Sequence, residues 1–361
     1  MNKKILYIVI LMTLYVNAIA QDPIYSQFYY NRLELNPAFC GGDGAGKLRL
    51  NSFHRNLYRP IKGPFNNSNI SVDYGICGTN LGVGLIASNE MQGDGYLMIN
   101  KIDGVIGIPL AVRNGIISFG VKYGYIFQNL DWNQYTFSDQ YDPIRGNVRP
   151  SINSNINSDF STSNNLTFGM NYTTWNWKKT KAYNVGFTYN NFNQPSVGYL
   201  NRYNLPQRLT FYAGAHLRKN PLVMSGAINM YGRFDIQKNF KTSIGVIEYY
   251  FNSKFNLGAG CRVSIYNPAG IGNTTSLIIS SGIQTSTAFK MIFSYETNIG
   301  GLNVIGAGNT FELGCIWVPT NQICALKNLT NSFKGKSGKN AVNRISCPVF
   351  NRGKNGIIAP F

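Results

Sequence analysis

The sequence predicts an all-β protein, a transmembrane antiparallel β-barrel of about fourteen strands set in an outer membrane. Three observations carry this. Apolar and polar residues alternate with a period of two along many segments. Only 13% of the 361 residues are charged, while 14% are aromatic and 38 are glycine. Beyond the N-terminus no apolar run reaches the roughly 20 residues that a spanning helix needs. An ordinary soluble domain carries about 25% charged residues, and a disordered chain is poorer in aromatics and richer in charge. Few charges, many aromatics and many glycines without a long apolar run fit a closed membrane barrel.

Residues 1–20 read as a secretory signal peptide. Lys3 and Lys4 supply the positive start, Ile5 to Val16 the apolar core, and Ala18-Ile19-Ala20 a small-x-small cleavage site, so Gln21 begins the mature chain. Removal of Lys3 and Lys4 takes 33 basic residues to 31 against 15 acidic ones, lowering the net charge from +18 to +16. Export places all six cysteines, Cys40, Cys77, Cys261, Cys315, Cys324 and Cys347, in a disulfide-permissive compartment. Spacing leaves their pairing open, with a Cys324–Cys347 loop, a Cys315–Cys324 bridge and free buried thiols all compatible with it.

The alternation is clearest in five places. Ile117, Phe119, Val121, Tyr123 and Tyr125 form one apolar face, as do Tyr183, Val185, Phe187 and Tyr189, then Leu209, Phe211, Ala213, Ala215 and Leu217. Phe255, Leu257, Ala259, Cys261 and Val263 form another, and Phe311, Leu313, Cys315 and Trp317 the last. The opposite faces are small or polar and rich in glycine. Fourteen segments qualify, near 47–54, 66–76, 80–91, 97–108, 115–127, 160–174, 182–192, 205–218, 222–233, 240–251, 254–266, 275–285, 287–298 and 309–318. The fourth, ninth and tenth are the least regular, because Lys101 and Glu248 sit awkwardly there, so twelve strands is the alternative count. Connections after even-numbered strands are short, as at Asn252-Ser253 and Thr285-Ser286, and the others mostly longer. Barrels of this class put short turns in the periplasm and long loops outside, which sends both termini to the periplasm. Tyr74, Tyr172, Trp175, Trp177, Tyr249 and Trp317 lie near strand ends and suit interfacial girdles.

The domain plan is therefore 1–20 signal peptide, 21–46 a periplasmic or lumen-plugging segment, 47–318 the barrel, and 319–361 a periplasmic tail. The tail has seven Lys/Arg and no acidic residue. A basic exported tail suits anionic lipid or acidic proteins better than nucleic acid.

Gln21-Asp22-Pro23-Ile24-Tyr25-Ser26-Gln27-Phe28, then Asn31 and Leu35-Asn36-Pro37-Ala38-Phe39, resembles the mature N-terminus of the PorP/SprF family of the type IX secretion system of Bacteroidota. Further similarities follow in the same order. They include Arg55 with Pro64-Phe65, Leu81-Gly82-Val83-Gly84-Leu85, Asp131-Trp132, Phe137-Ser138-Asp139-Gln140, Leu205-Pro206-Gln207-Arg208, Phe311-Glu312-Leu313 and Cys347-Pro348-Val349-Phe350. The eleven residues after Phe350 and most of the cysteines depart from the family pattern. The resemblance implies a non-enzymatic outer-membrane component of the secretion and gliding machinery. Such a component supports export and surface anchoring of a large adhesin through its C-terminal sorting domain, beside other secretion components. It marks Asp22, Pro23, Ser26, Gln27, Asn36, Pro37, Asp131, Trp132, Asp139, Pro206, Arg208, Cys347 and Pro348 as family-motif and partner-binding candidates. A channel or porin for small solutes is the alternative.

Other chemistry has little material. Gly41-Gly42-Asp43-Gly44-Ala45-Gly46-Lys47 has the spacing of a phosphate loop, but Leu48 replaces the magnesium-binding Ser or Thr and a strand follows, so a flexible lead into the first strand is expected. His54 and His216 are the only histidines and lack close ligand spacing. A hydrolase centred on His216 would need a serine and an acid on neighbouring outward positions. Asp139 and Asp142 are too few for a calcium site. No cofactor, metal or catalytic residue is expected.

Overall fold

The computed structural model describes residues 23–57, 65–93, 97–112, 115–130, 141–142, 144, 146–147, 160–176, 180–198, 203–219, 225–266, 274–299 and 309–319. Residues 1–22, the basic segment 320–361, Trp177 and most of the outer connections lie outside them.

The strands in chain order are β1 Leu48–Leu57, β2 Phe65–Gly75, β3 Gly82–Gln92, β4 Leu97–Val112, β5 Gly115–Leu130, β6 Tyr141–Asp142, β7 Gly146–Asn147, β8 Phe160–Trp175 and β9 Lys181–Asn190. They continue with β10 Ser196–Val197, β11 Tyr203–Asn204, β12 Arg208–Leu217, β13 Ile228–Gln237, β14 Phe240–Tyr250, β15 Phe255–Tyr266, β16 Thr274–Gln284, β17 Phe289–Asn298 and β18 Thr310–Trp317. Two short hairpins, β6–β7 and β10–β11, stand apart on outer connections. The other fourteen strands form one closed barrel of antiparallel neighbours. Closure is made by β1 and β18, from Leu50 opposite Trp317 to Asn56 opposite Phe311. No open edge is left in the barrel, which a lipid environment requires because it offers unpaired N–H and C=O groups no partner.

The count is fourteen and not twelve. The two charges that cast doubt on the fourth and tenth strands face the lumen. Glu248 is fully buried, and Lys101 shares the inward parity of its neighbour Asp103. The expected strand near 222–233 runs instead from Ile228 to Gln237, ending in a two-residue turn at Lys238, whose φ is 51°.

Polarity is inverted relative to a soluble sandwich. Ile279 is 61% exposed and Leu85 58%, whereas Glu248, Asn184 and Thr210 are 0% exposed. All five sequence faces point outward, with Phe119, Val185, Phe211, Leu257 and Phe311 among the exposed large side chains. Tyr74, Tyr172, Tyr249 and Trp317 lie on the outward parity at the turn-side ends of β2, β8, β14 and β18 and suit the periplasmic half of an aromatic girdle. Trp175 does not, because it falls on the inward parity of β8 and packs against Ile116 and Ala182.

The cysteine expectations are corrected in part. Cys315 is free, which removes a Cys315–Cys324 bridge, and Cys40 and Cys261 are free as well. Cys77, on the turn after β2, is disulfide-bonded, and with the other three free its partner is Cys324 or Cys347, so the expected Cys324–Cys347 loop is removed as well.

A charge on the lipid face should be costly and depth-dependent. Val121→Arg, midway along β5, is expected to lose about 2–4 kcal/mol of stability, and Ile265→Arg, on the outward face at the outer end of β15, less than about 1. Equilibrium unfolding from lipid vesicles measures both.

Candidate functional site

A fourteen-stranded barrel is too wide for its own side chains to fill, and eight strands is about the limit for that. The space is taken by the segment before β1. Phe28, Tyr29, Tyr30, Leu33, Leu35, Ala38 and Cys40 are all 2% exposed or less. Residues 25–40 thus lie inside the lumen against the inward faces of the strands.

The plug begins in the outer half. The Ile24 carbonyl accepts from the guanidinium groups of Arg55 and Arg262. The backbone N–H groups of Ser26 and Gln27 donate to the Glu312 carboxylate at 2.6 and 3.0 Å, and the Ser26 hydroxyl donates to Glu296 at 2.6 Å. Arg55 bridges the two acids, 3.3 Å from Glu296 and 3.2 Å from Glu312, while Arg262 lies 3.0 Å from Glu296. Hydrogen bonds to charged groups are worth about 1.5–3 kcal/mol each when buried. This cluster ties three residues of the plug to β1, β15, β17 and β18 at once.

The chain then descends. Tyr29 stacks on Tyr231 with centroids 4.1 Å apart and planes 7° from parallel. The Tyr29 and Tyr30 hydroxyls donate to Glu248 at 3.0 and 3.1 Å, and Lys290 Nζ donates to the Tyr30 hydroxyl at 2.7 Å. Burial, and then the Glu248 charge, push both phenols well above their ordinary range, so they remain O–H donors.

A single helical turn, Arg32–Leu35, and a 3-10 turn, Pro37–Phe39, cross the lumen. The Asn36 Oδ1 accepts from the Ala38 N–H at 2.8 Å, capping the 3-10 turn, and Pro37 occupies the first position, where no N–H is needed. Asn36 Nδ2 donates to the Met170 and Phe187 carbonyls and to the Tyr212 hydroxyl at 2.9, 3.1 and 2.8 Å. The wall gives way opposite this turn. A Cβ on Gly120 would collide with Pro37 and Ala38, and one on Gly169 with Asn36. Asn-Pro-Ala on the plug and glycine on the wall are two halves of one contact.

At the periplasmic end Asp43 lies between Arg32, at 2.9 Å, and Arg49, at 3.5 Å. Gly41-Gly42-Asp43-Gly44 is therefore a fixed turn and not the flexible lead expected from its glycines. Burial opposes ionisation of Asp43, but Arg32 and Arg49 outweigh it and hold the carboxyl down at about 2.

Of the sequence candidates, Ser26, Gln27, Asn36 and Pro37 meet in the plug, with Pro23 half-buried just before them. Pro206 and Arg208 lie elsewhere, at the outer mouth. The Pro206 carbonyl accepts from Asn191 and Gln237, and Arg208 points inward 4.0 Å from Asp235. Asp22, Asp131, Trp132, Asp139, Cys347 and Pro348 lie outside the described residues. Sequence reasoning missed Glu248, Glu296, Lys290 and Arg262, and used Glu312 only as part of a motif. The available signal was a charge on the polar parity of an alternating strand, as with Glu312 between Phe311 and Leu313. His216 is inward and buried, with Nδ1 3.1 Å from Asn229 Oδ1, so it lacks the outward setting a barrel hydrolase would need. Among the described residues no group of three His, Cys, Asp or Glu side chains could hold a metal ion.

A closed antiparallel barrel, apolar outside and polar within, defines an outer-membrane β-barrel protein. More specifically, the chain belongs to the PorP/SprF family of type IX secretion system membrane proteins, whose model matches residues 17–316. No curated protein matches it. Among solved structures it is similar to the CymD monoaromatic hydrocarbon channel, at 13% identity over 82% of this chain and 92% of that one, with a TM-score of 0.46. It is also similar to the Pseudomonas putida toluene transporter TodX, at 9% identity over 84% and 99%, with a TM-score of 0.43.

Two tests address the plug. Gly120→Leu should unseat Pro37 and Ala38, so that trypsin cleaves after Arg32 in the variant while that bond stays uncut in the wild type. The pH test concerns Asp43, whose folded pKa lies below its ordinary 3.8. Its contribution, roughly 2–3 kcal/mol, is complete above the unfolded value and lost as pH falls through about 2. Asp43→Asn should remove it at neutral pH, which unfolding midpoints at pH 7 and pH 2 would measure.

Proposed function

We propose that this barrel is the outer-membrane anchor of a large secreted adhesin, working with other components of the type IX secretion and gliding machinery and without enzymatic activity of its own. It holds the adhesin's C-terminal sorting domain at the cell surface. The observation that supports this reading over a channel is the filled lumen. Residues 25–40 occupy it through buried hydrogen bonds to wall carboxylates and close backbone contact, so solute passage would require a folded segment to leave. A barrel with a solid interior is a rigid fixture in the lipid, suited to bearing load at its outer mouth. There the β10–β11 hairpin is tied to the wall, with the Gly198 N–H donating to Gln128 at 3.2 Å.

Affinity capture of the barrel from outer membranes in mild detergent should recover a very large secreted protein, identified by mass spectrometry. Recovery of the barrel alone would contradict the anchor. In planar bilayers the wild type is expected to give no steady current, and large steady currents would favour the channel.

A further inference from the structure

The charges of the barrel strands are sorted by face. Their acidic residues all lie on the inward parity. Among the described Lys and Arg residues of these strands only two turn outward, Lys181 at the periplasmic start of β9 and Lys241 near the outer end of β14. Lys181 is exposed, and so is Lys219, two positions beyond Leu217 on the outward parity of β12.

β9 and β12 are neighbours. Lys181 pairs with Leu217, and the Arg218 N–H donates to the Thr180 carbonyl at 2.8 Å, which carries the pairing one residue past the strand ends. Lys219 is therefore the diagonal neighbour of Lys181 on the lipid side of the wall, a separation of about 7–8 Å. Two ammonium groups so placed repel each other unless an anion lies between them.

The chain does not supply that anion. Neither lysine takes part in an ion pair among the described residues. The connections at this end, 76–81, 113–114, 176–180, 218–227, 251–254 and 285–288, hold no Asp or Glu, and neither does 318–361. Asp43 is committed to Arg32 and Arg49. The connection before β9 instead adds Lys178 and Lys179.

Position decides what the anion belongs to. Immediately above the two lysines the wall is apolar, with Tyr183 45% exposed, Ile228 39% exposed and Leu217 between them. Tyr249, the partner of Ile228, faces outward at the same end. Tyrosines in such a row mark the boundary between acyl chains and headgroups, and lysines beside them extend their ammonium groups to the headgroup level. A protein in the periplasm meets the turns from below, whereas Lys181 and Lys219 stand on the face that meets lipid. We propose that these two lysines bind the phosphate of one anionic lipid of the inner leaflet. Its oxygens accept from both ammonium groups, and its chains lie against Tyr183, Leu217 and Ile228.

The test uses the full barrel in nanodiscs of dioleoylphosphatidylcholine and dioleoylphosphatidylglycerol in equal parts, two lipids alike in their chains and unlike in net charge. Native mass spectrometry reads the lipid retained on ejection. The wild type should retain phosphatidylglycerol in preference to phosphatidylcholine. Lys181→Gln and Lys219→Gln together should lower that preference about tenfold, whereas Lys181→Arg with Lys219→Arg should keep it. An excess of inorganic phosphate should leave the lipid bound. Absence of a preference in the wild type would overturn the site and leave the lysines to an acidic periplasmic protein. An undiminished preference in the glutamine variant, its loss in the arginine variant, or displacement by phosphate would each overturn it as well. The preference of the wild type stands as a test even where a variant does not refold.

Discussion

The buried carboxylates of Glu248, Glu296 and Glu312 set the terms for the rest of this structure. They project into a lumen enclosed by a lipid-facing wall, where an unpaired charge is among the most costly groups a protein can hold. Wall arginines answer part of the demand, since Arg55 and Arg262 flank Glu296. The remainder is met by the plug, through two backbone N–H groups on Glu312, one hydroxyl on Glu296 and two phenols on Glu248. Removing one partner of such a buried set typically costs about 3–5 kcal/mol. The plug and the wall are thus mutually dependent, and their buried hydrogen bonds sit beside an apolar cluster in which Phe28, Leu35 and Phe39 of the plug pack with Phe53, Ile244 and Ile292 of the wall.

Shape follows the same logic as charge. The plug must approach the backbone of β5 and β8 closely for Asn36 to reach the Met170 and Phe187 carbonyls. Glycine at positions 120 and 169 permits that approach, and any larger side chain would hold the 3-10 turn away. The glycine-rich inner face is therefore part of the seat for a particular segment, beyond being a generic mark of a barrel.

The wall was legible in the sequence because it is written locally. A period of two, such as Phe311, Leu313, Cys315 and Trp317 against Glu312, Gly314 and Ile316, assigns faces without any knowledge of neighbours. The main displacement, at β13, arose because the apolar run Leu222-Val223-Met224 mimics the start of a strand, whereas the tight turn at Lys238 fixes the register from the other end. The plug was legible only as a motif. Ser26 meets Glu296 and Gln27 meets Glu312 across more than 250 residues, and no local pattern announces such a pairing. Asn36-Pro37 could be read as a turn, but its role as a bridge to β8, β9 and β12 depends on closure of the barrel. Glu248 looked like a flaw in a strand for the same reason, since its partners Tyr29 and Tyr30 lie more than 200 residues earlier.

The central claim is that the segment before β1 is a fixed part of the folded interior. Hydrogen–deuterium exchange of the intact barrel in mild detergent reads this at the amides of Ser26, Gln27, Ala38 and Cys40, each of which donates to a defined acceptor. The account predicts protection lasting as long as that of the β1 and β18 amides. Exchange of these four within seconds, while the strands stay protected, would contradict it.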